Sequence, residues 1–229
     1  ESALGVKAAP RLAALLSDPG NPMLLYDLLG VLKSGFLDRI FIQPDGIECP
    51  SAREAVALAL SIGAIPAYAY LGDVGESPTG DKKAEKFEDD FLDELFDELA
   101  ALGFPAVCYM PPRNTREQLA VVRELCAERG FLEISGVDIN SPRQSFNCPE
   151  LRLSEFAHLR DATWALVAHE TLSELDQRAG MLSPGNPLSA LPVPARVAAY
   201  ARAGRALDSP FFESASAIAH DLLDGRFSR

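Results

Sequence analysis

Three short apolar runs, residues 65–71, 104–110 and 131–137, alternate with stretches of helical periodicity, and each run ends in a polar cluster. Apolar runs of this length, bounded by glycine and proline, read as strands buried on both faces. Strands joined through helices are parallel neighbours, since a tight turn has no room for a helix. Right-handed crossovers then bring all three strand ends to one rim, the place where α/β proteins gather their chemistry. The clusters on that rim are Ala69-Tyr70-Leu71-Gly72-Asp73, Pro111-Pro112-Arg113-Asn114-Thr115 and Gly136-Val137-Asp138-Ile139-Asn140.

The helices announce themselves by their ends. Ser51 with Glu54 three residues on predicts a capping box and a helix to Ile62, stopped by Gly63. Thr115 opens a helix over 116–128 that Gly130 closes. Between them the pattern predicts a long helix over 84–102. Its apolar stripe is Phe87, Phe91, Leu95, Leu99 and Leu102, and its acidic residues from Glu88 to Glu98 form a solvated face. Ahead of this alternation lie two helices, over 8–16 and 23–32, and a short strand at 39–42. Behind it lie helices over 154–179, 195–207 and 214–223. The organisation is a helical segment at 1–36, βα units over 37–150 and a helical region at 151–229.

Composition narrows the function. A net charge of −12 opposes general nucleic-acid binding and docking on anionic membranes. Cys49, Cys108, Cys126 and Cys148 show no CxxC spacing, so a zinc ribbon is excluded, and Cys108 and Cys126 lie in apolar patterns. No apolar run approaches the ~18 residues of a membrane span, and no signal peptide is evident, so a cytoplasmic protein is expected. The chain begins at Glu1 rather than methionine, so a processed product or a fragment is expected.

Each cluster has a chemical and a plain reading. Asp73 can reach a metal or a hydroxyl from its loop, or simply begin a turn. Tyr68 and Tyr70 share one strand face, as ligand contacts or as core aromatics. Arg113 and Asn114 sit before a helix N-terminus, a good anion site, although Asn114 or Thr115 also serves as a cap. Asp138 and Asn140 alternate, so both project to one side, and Arg143 and Gln144 follow Pro142. His169 and Glu170 lack the second histidine of HExxH, Ser173 standing in its place, so the zincin pattern fails and a structural histidine is expected. GxSxG, P-loop and GxGxxG motifs are absent from the sequence.

The run from Pro50 to Val56, and Gly63-Ala64-Ile65-Pro66-Ala67-Tyr68-Ala69-Tyr70-Leu71-Gly72 after it, resembles the later half of PHP (polymerase and histidinol phosphatase) domains. Those carry a PS-x-EEAI helix and a strand ending in AHPG. The run Tyr109-Met110-Pro111-Pro112-Arg113-Asn114-Thr115-Arg116-Glu117-Gln118 is similar to their YYP-x-HS-x-EQ. Residues 130–140 are similar to GL-x-x-x-GSDFH. Order and spacing agree across residues 45–145. The resemblance implies a distorted (β/α) barrel, partial in this chain, with metals at the strand C-termini and hydrolysis of phosphate esters by metal-bound water. The helices before residue 36 resemble an insertion found in some of these domains.

The departures are systematic. Tyr70 and Asn114 stand where the family has histidines, Asp138-Ile139-Asn140 replaces DFH, and the N-terminal HxH does not occur. The expectation is a metal-dependent phosphoesterase in which Asp138, Asn140 and Asp73 hold Mn²⁺, Mg²⁺ or Zn²⁺, and no organic cofactor takes part. Asp138 and Asn140 would be catalytic, while Arg113, Asn114, Arg143 and Tyr70 would bind a small phosphorylated substrate. The alternative is a degenerate PHP-like module that binds an anion or serves assembly. Three strands leave open edges, to be covered by a missing segment, a second copy or the extra helices.

Overall fold

The computed structural model describes residues 10–73, 86–139, 142–208 and 214–226. The chain divides into two compact units, residues 1–50 with 141–143, and residues 51–140 with 144–229. No helix among the described residues is long and apolar enough to cross a membrane.

The first unit holds α1 (Pro10–Ser17) and α2 (Leu24–Ile40). Asn21 joins them, its amide donating to Leu15 O at 3.0 Å and to Asp27 Oδ2 at 2.8 Å. The short strand expected at 39–42 does not form. Arg39 and Ile40 instead end α2, which continues through Ser34 and Gly35. A glycine inside a helix costs only about 1 kcal/mol, which is too little to end one by itself.

The second unit is a mixed α/β fold. Its elements are α3 (Ala52–Ser61), β1 (Ala67–Ala69), α4 (Leu92–Leu102), β2 (Ala106–Tyr109), α5 (Arg116–Arg129), β3 (Leu132–Ser135), α6 (Ala157–Leu175), α7 (Val193–Leu207) and α8 (Ala215–Leu223). The strands pair in the order β1-β2-β3, all parallel, with Ala67 opposite Ala106 and Ala106 opposite Leu132. Ser51 and Thr115 make full capping boxes with Glu54 and Gln118.

Side-chain alternation splits the core in two. Tyr70, Val107 and Tyr109 pack with Leu92, Phe96, Leu119 and Val122, so α4 and α5 share one face of the sheet. Ala106 and Leu132 pack on the other face with α6, α7 and α8. Between α6 and α7 the contact is built from Ala165, Ala168, Ala199 and Ala203, all fully buried. Gly204 approaches so closely that a Cβ there would lie 2.1 Å from Trp164 O. Small residues allow this approach of two backbones, and sheet and helices then cover each other as layers.

The long helix expected over 84–102 starts later than its acidic pattern suggested. Asp89–Phe91 is a single 3₁₀ turn and α4 begins at Leu92. Its buried stripe is therefore Leu92, Phe96 and Leu99, while Phe91 is left exposed. Asp93, Glu94, Asp97 and Glu98 face solvent as expected, but Glu88 is buried.

Candidate functional site

The rim formed by the strand ends brings most of the candidate residues of this unit together, and hydrogen bonding assigns each a task. Beyond β1 the backbone amides of Leu71 and Gly72 both donate to Glu88 Oε1, at 2.7 and 2.9 Å. Glu88 Oε2 accepts the Tyr68 hydroxyl. Two successive amides turned toward one acceptor form the kind of nest that binds phosphate elsewhere. Here a carboxylate of the chain fills it.

Asp89 closes the next layer. It accepts from the Tyr70 hydroxyl at 2.6 Å, from Gln118 Nε2 at 2.7 Å and from Asp73 N at 3.1 Å. Burial pushes the Asp89 carboxyl up, but the bonds from Tyr70 and Gln118 outweigh it and hold the group below its usual range. Burial, with Asp89 opposite, drives the Tyr70 phenol far above its ordinary value. Tyr70 is fully enclosed, which takes it out of reach of a ligand. Asp73 Oδ1 accepts from Phe87 N at 2.8 Å, and so fastens the two ends of the 73–87 connection. Gly72 has φ +69, and a Cβ there would come within 2.8 Å of the Tyr70 hydroxyl and 2.7 Å of Gln118 Nε2. Both its conformation and its space demand glycine.

Beyond β2 the chain turns on Met110, whose carbonyl accepts from Arg113 N and Asn114 N at 2.9 and 2.8 Å. The buried Asn114 side chain accepts from Met110 N at 2.8 Å and donates to Leu71 O at 2.8 Å. It ties neighbouring strand ends rather than capping the following helix, which Thr115 does.

Beyond β3, Asp138 adopts φ +48, the one positive φ outside glycine among the described residues. Its carboxylate pairs with the Arg113 guanidinium, and both side chains are largely buried. Gln144 Nε2 donates to the Asp138 carbonyl at 3.2 Å. Asn140 lies outside the described residues. Arg143 belongs to the first unit, where it grips the buried Asp27 through two bonds of 2.7 Å. That fork, with Asn21, holds the Asp27 carboxyl below its usual range.

The described carboxylates expected to hold a metal are engaged by donors of the chain. Asp138 is matched to a guanidinium and Asp73 to backbone amides, and among the described residues no three His, Cys, Asp or Glu converge as ligands. The chemistry this rim supports is that of a guanidinium beside a carboxylate at the ends of adjacent strands.

Sequence reasoning passed over Glu88, Asp89 and Gln118 as rim residues. Their signal was the acidic pair just ahead of Leu92, where the chain returns from a strand end to a helix. It also passed over the Tyr109 hydroxyl, which donates to Glu133 Oε2 at 2.8 Å and meets His158 Nε2 at 2.7 Å on the α4–α5 face. His169 is structural as expected. Its Nε2 donates to Gly63 O at 3.0 Å and its Nδ1 accepts from Met181 N at 2.9 Å.

Compared with known proteins, the chain matches no family model, no curated protein and no solved structure.

Proposed function

We propose that the chain carries the later part of a PHP-like barrel domain in degenerate form, with a rim that binds a small phosphorylated or otherwise anionic molecule at Arg113. The observation that supports this reading is the pairing of Arg113 with Asp138 across adjacent strand ends, with Asp138 held at positive φ. Left-handed backbone outside glycine concentrates at functional sites, and aspartate tolerates it better than most residues. A guanidinium in that position suits phosphate geometry. The saturation of Glu88, Asp89 and Asp73 by donors of the chain favours a scaffold role for the rest of the rim.

The second reading is a metal-dependent phosphoesterase. What favours it is that Asp138 stands where the resembling family keeps a ligand. One experiment separates the two. Binding of inorganic phosphate is measured by calorimetry, and turnover of p-nitrophenyl phosphate is followed with Mn²⁺ or Mg²⁺ added. The anion-binding reading expects phosphate binding without turnover, weakened about tenfold or more by Arg113→Gln. Metal-stimulated turnover abolished by Asp138→Asn selects the hydrolase. Neither binding nor turnover overturns both and leaves a role in folding or assembly.

A further inference from the structure

At the opposite end of the sheet, where β2 and β3 begin, a cavity of about 240 Å³ opens against α7. Leu132, Met181, Leu182, Val193 and Val197 make its walls apolar, and Arg196 is the one charged residue that lines it. Arg196 lies in the first turn of α7. Its Nη2 donates to Ser189 O at 2.7 Å and Leu191 O at 3.0 Å, while Nη1 reaches Met181 O only at 3.5 Å. The Nε–H is enclosed and finds no acceptor. Among the ion pairs of the described residues none includes Arg196, although the other half-buried arginines, Arg113, Arg123 and Arg129, each meet a carboxylate. Carbonyl oxygens satisfy hydrogen bonds but leave the charge of a desolvated cation unbalanced.

We infer that this cavity is a binding site for a small carboxylate carrying an apolar group, its carboxylate on Arg196 and its apolar part against Leu132, Val193 and Val197. One guanidinium balances a monoanion, whereas a phosphate dianion calls for further donors that these walls do not provide. The volume sits below the range of drug-sized pockets, which suits a short chain or a single ring. The site is separate from the strand-end rim and does not depend on it.

The test is titration of the ¹⁵N-labelled protein with benzoate and hexanoate, with benzamide as the neutral control. Saturable shifts of the Gly130, Leu132, Met181 and Val197 amides are expected with one or both carboxylates. Benzamide binds about tenfold more weakly or worse, because it lacks the charge-assisted bond. Arg196→Met removes the carboxylate preference. Because Arg196 also holds the 181–191 loop, Val193→Phe is the second variant; it fills the cavity and blocks binding with the guanidinium kept. No shift with either carboxylate, equal binding of benzamide, or shifts at other residues overturns the inference.

Discussion

Asn114 Nδ2 donates to the carbonyl of Leu71 at 2.8 Å, joining the end of β2 to the end of β1 across 43 residues of sequence. The same side chain closes the turn at Met110. An amide offers a donor and an acceptor on two separate atoms without charge. Asn114→Ala therefore leaves a buried N–H and a carbonyl without partners. A loss of about 2 kcal/mol in urea-unfolding stability is expected. A change under about 0.5 kcal/mol, the level of an ordinary surface substitution, is incompatible with this role.

Asp89 makes the rim sensitive to acid. Its folded-state value is depressed, so the unfolded chain takes up the proton first as pH falls. The stabilisation is complete above the unfolded value near about 3.9 and disappears as pH drops through the folded one. The stability gap between the wild type and Asp89→Asn should hold steady from about pH 7 to pH 5, then narrow below about pH 4. A gap independent of pH across that window removes Asp89 from the account.

His169 acts at milder pH. Burial pushes its imidazole below the ordinary value of about 6.5. The neutral tautomer is required as well, because a proton on Nδ1 would face the Met181 N–H. Its contribution is whole above about pH 6.5 and declines as pH falls from there toward the folded value. Urea midpoints of the wild type should drop more steeply between about pH 7 and pH 5 than those of His169→Gln. Parallel curves would falsify this.

Gly204→Ala tests the seam between α6 and α7. The new methyl group would overlap the Trp164 carbonyl, and both backbones belong to packed helices. Overpacking of this kind costs about 1–3 kcal/mol or more, which exceeds the ~1 kcal/mol that alanine gains over glycine in a helix. A melting temperature equal to or above that of the wild type would show that the helices separate easily.

The features legible in the sequence are those set by near neighbours. Ser51 and Thr115 begin their helices, Gly103 and Gly130 end theirs at positive φ, and the three apolar runs contain the three strands. Parallel topology placed Arg113 and Asp138 on one rim, but not their pairing with each other. Failures arose where tertiary partners decide the outcome. The residues at 39–42 are rich in β-forming side chains, yet Arg39 and Ile40 complete α2. Glu88 and Asp89 match the polar face of a helix, yet the amides of Leu71, Gly72 and Asp73 draw them into the rim. Tyr70 and Asn114 stood among the residues expected to bind substrate, and only contacts over long sequence distance reveal them as a core phenol and a strut.

The strand order β1-β2-β3 also has a temporal meaning. Each strand pairs with the next one made, so the sheet and its α4–α5 cover can assemble in the order of synthesis. The other face has no such schedule. Ala67, Ala106, Leu132 and Ile134 wait for α6 and α7, and α7 ends at Leu207. A nascent chain halted before that point presents a bare apolar sheet, the surface on which chaperones and aggregation compete.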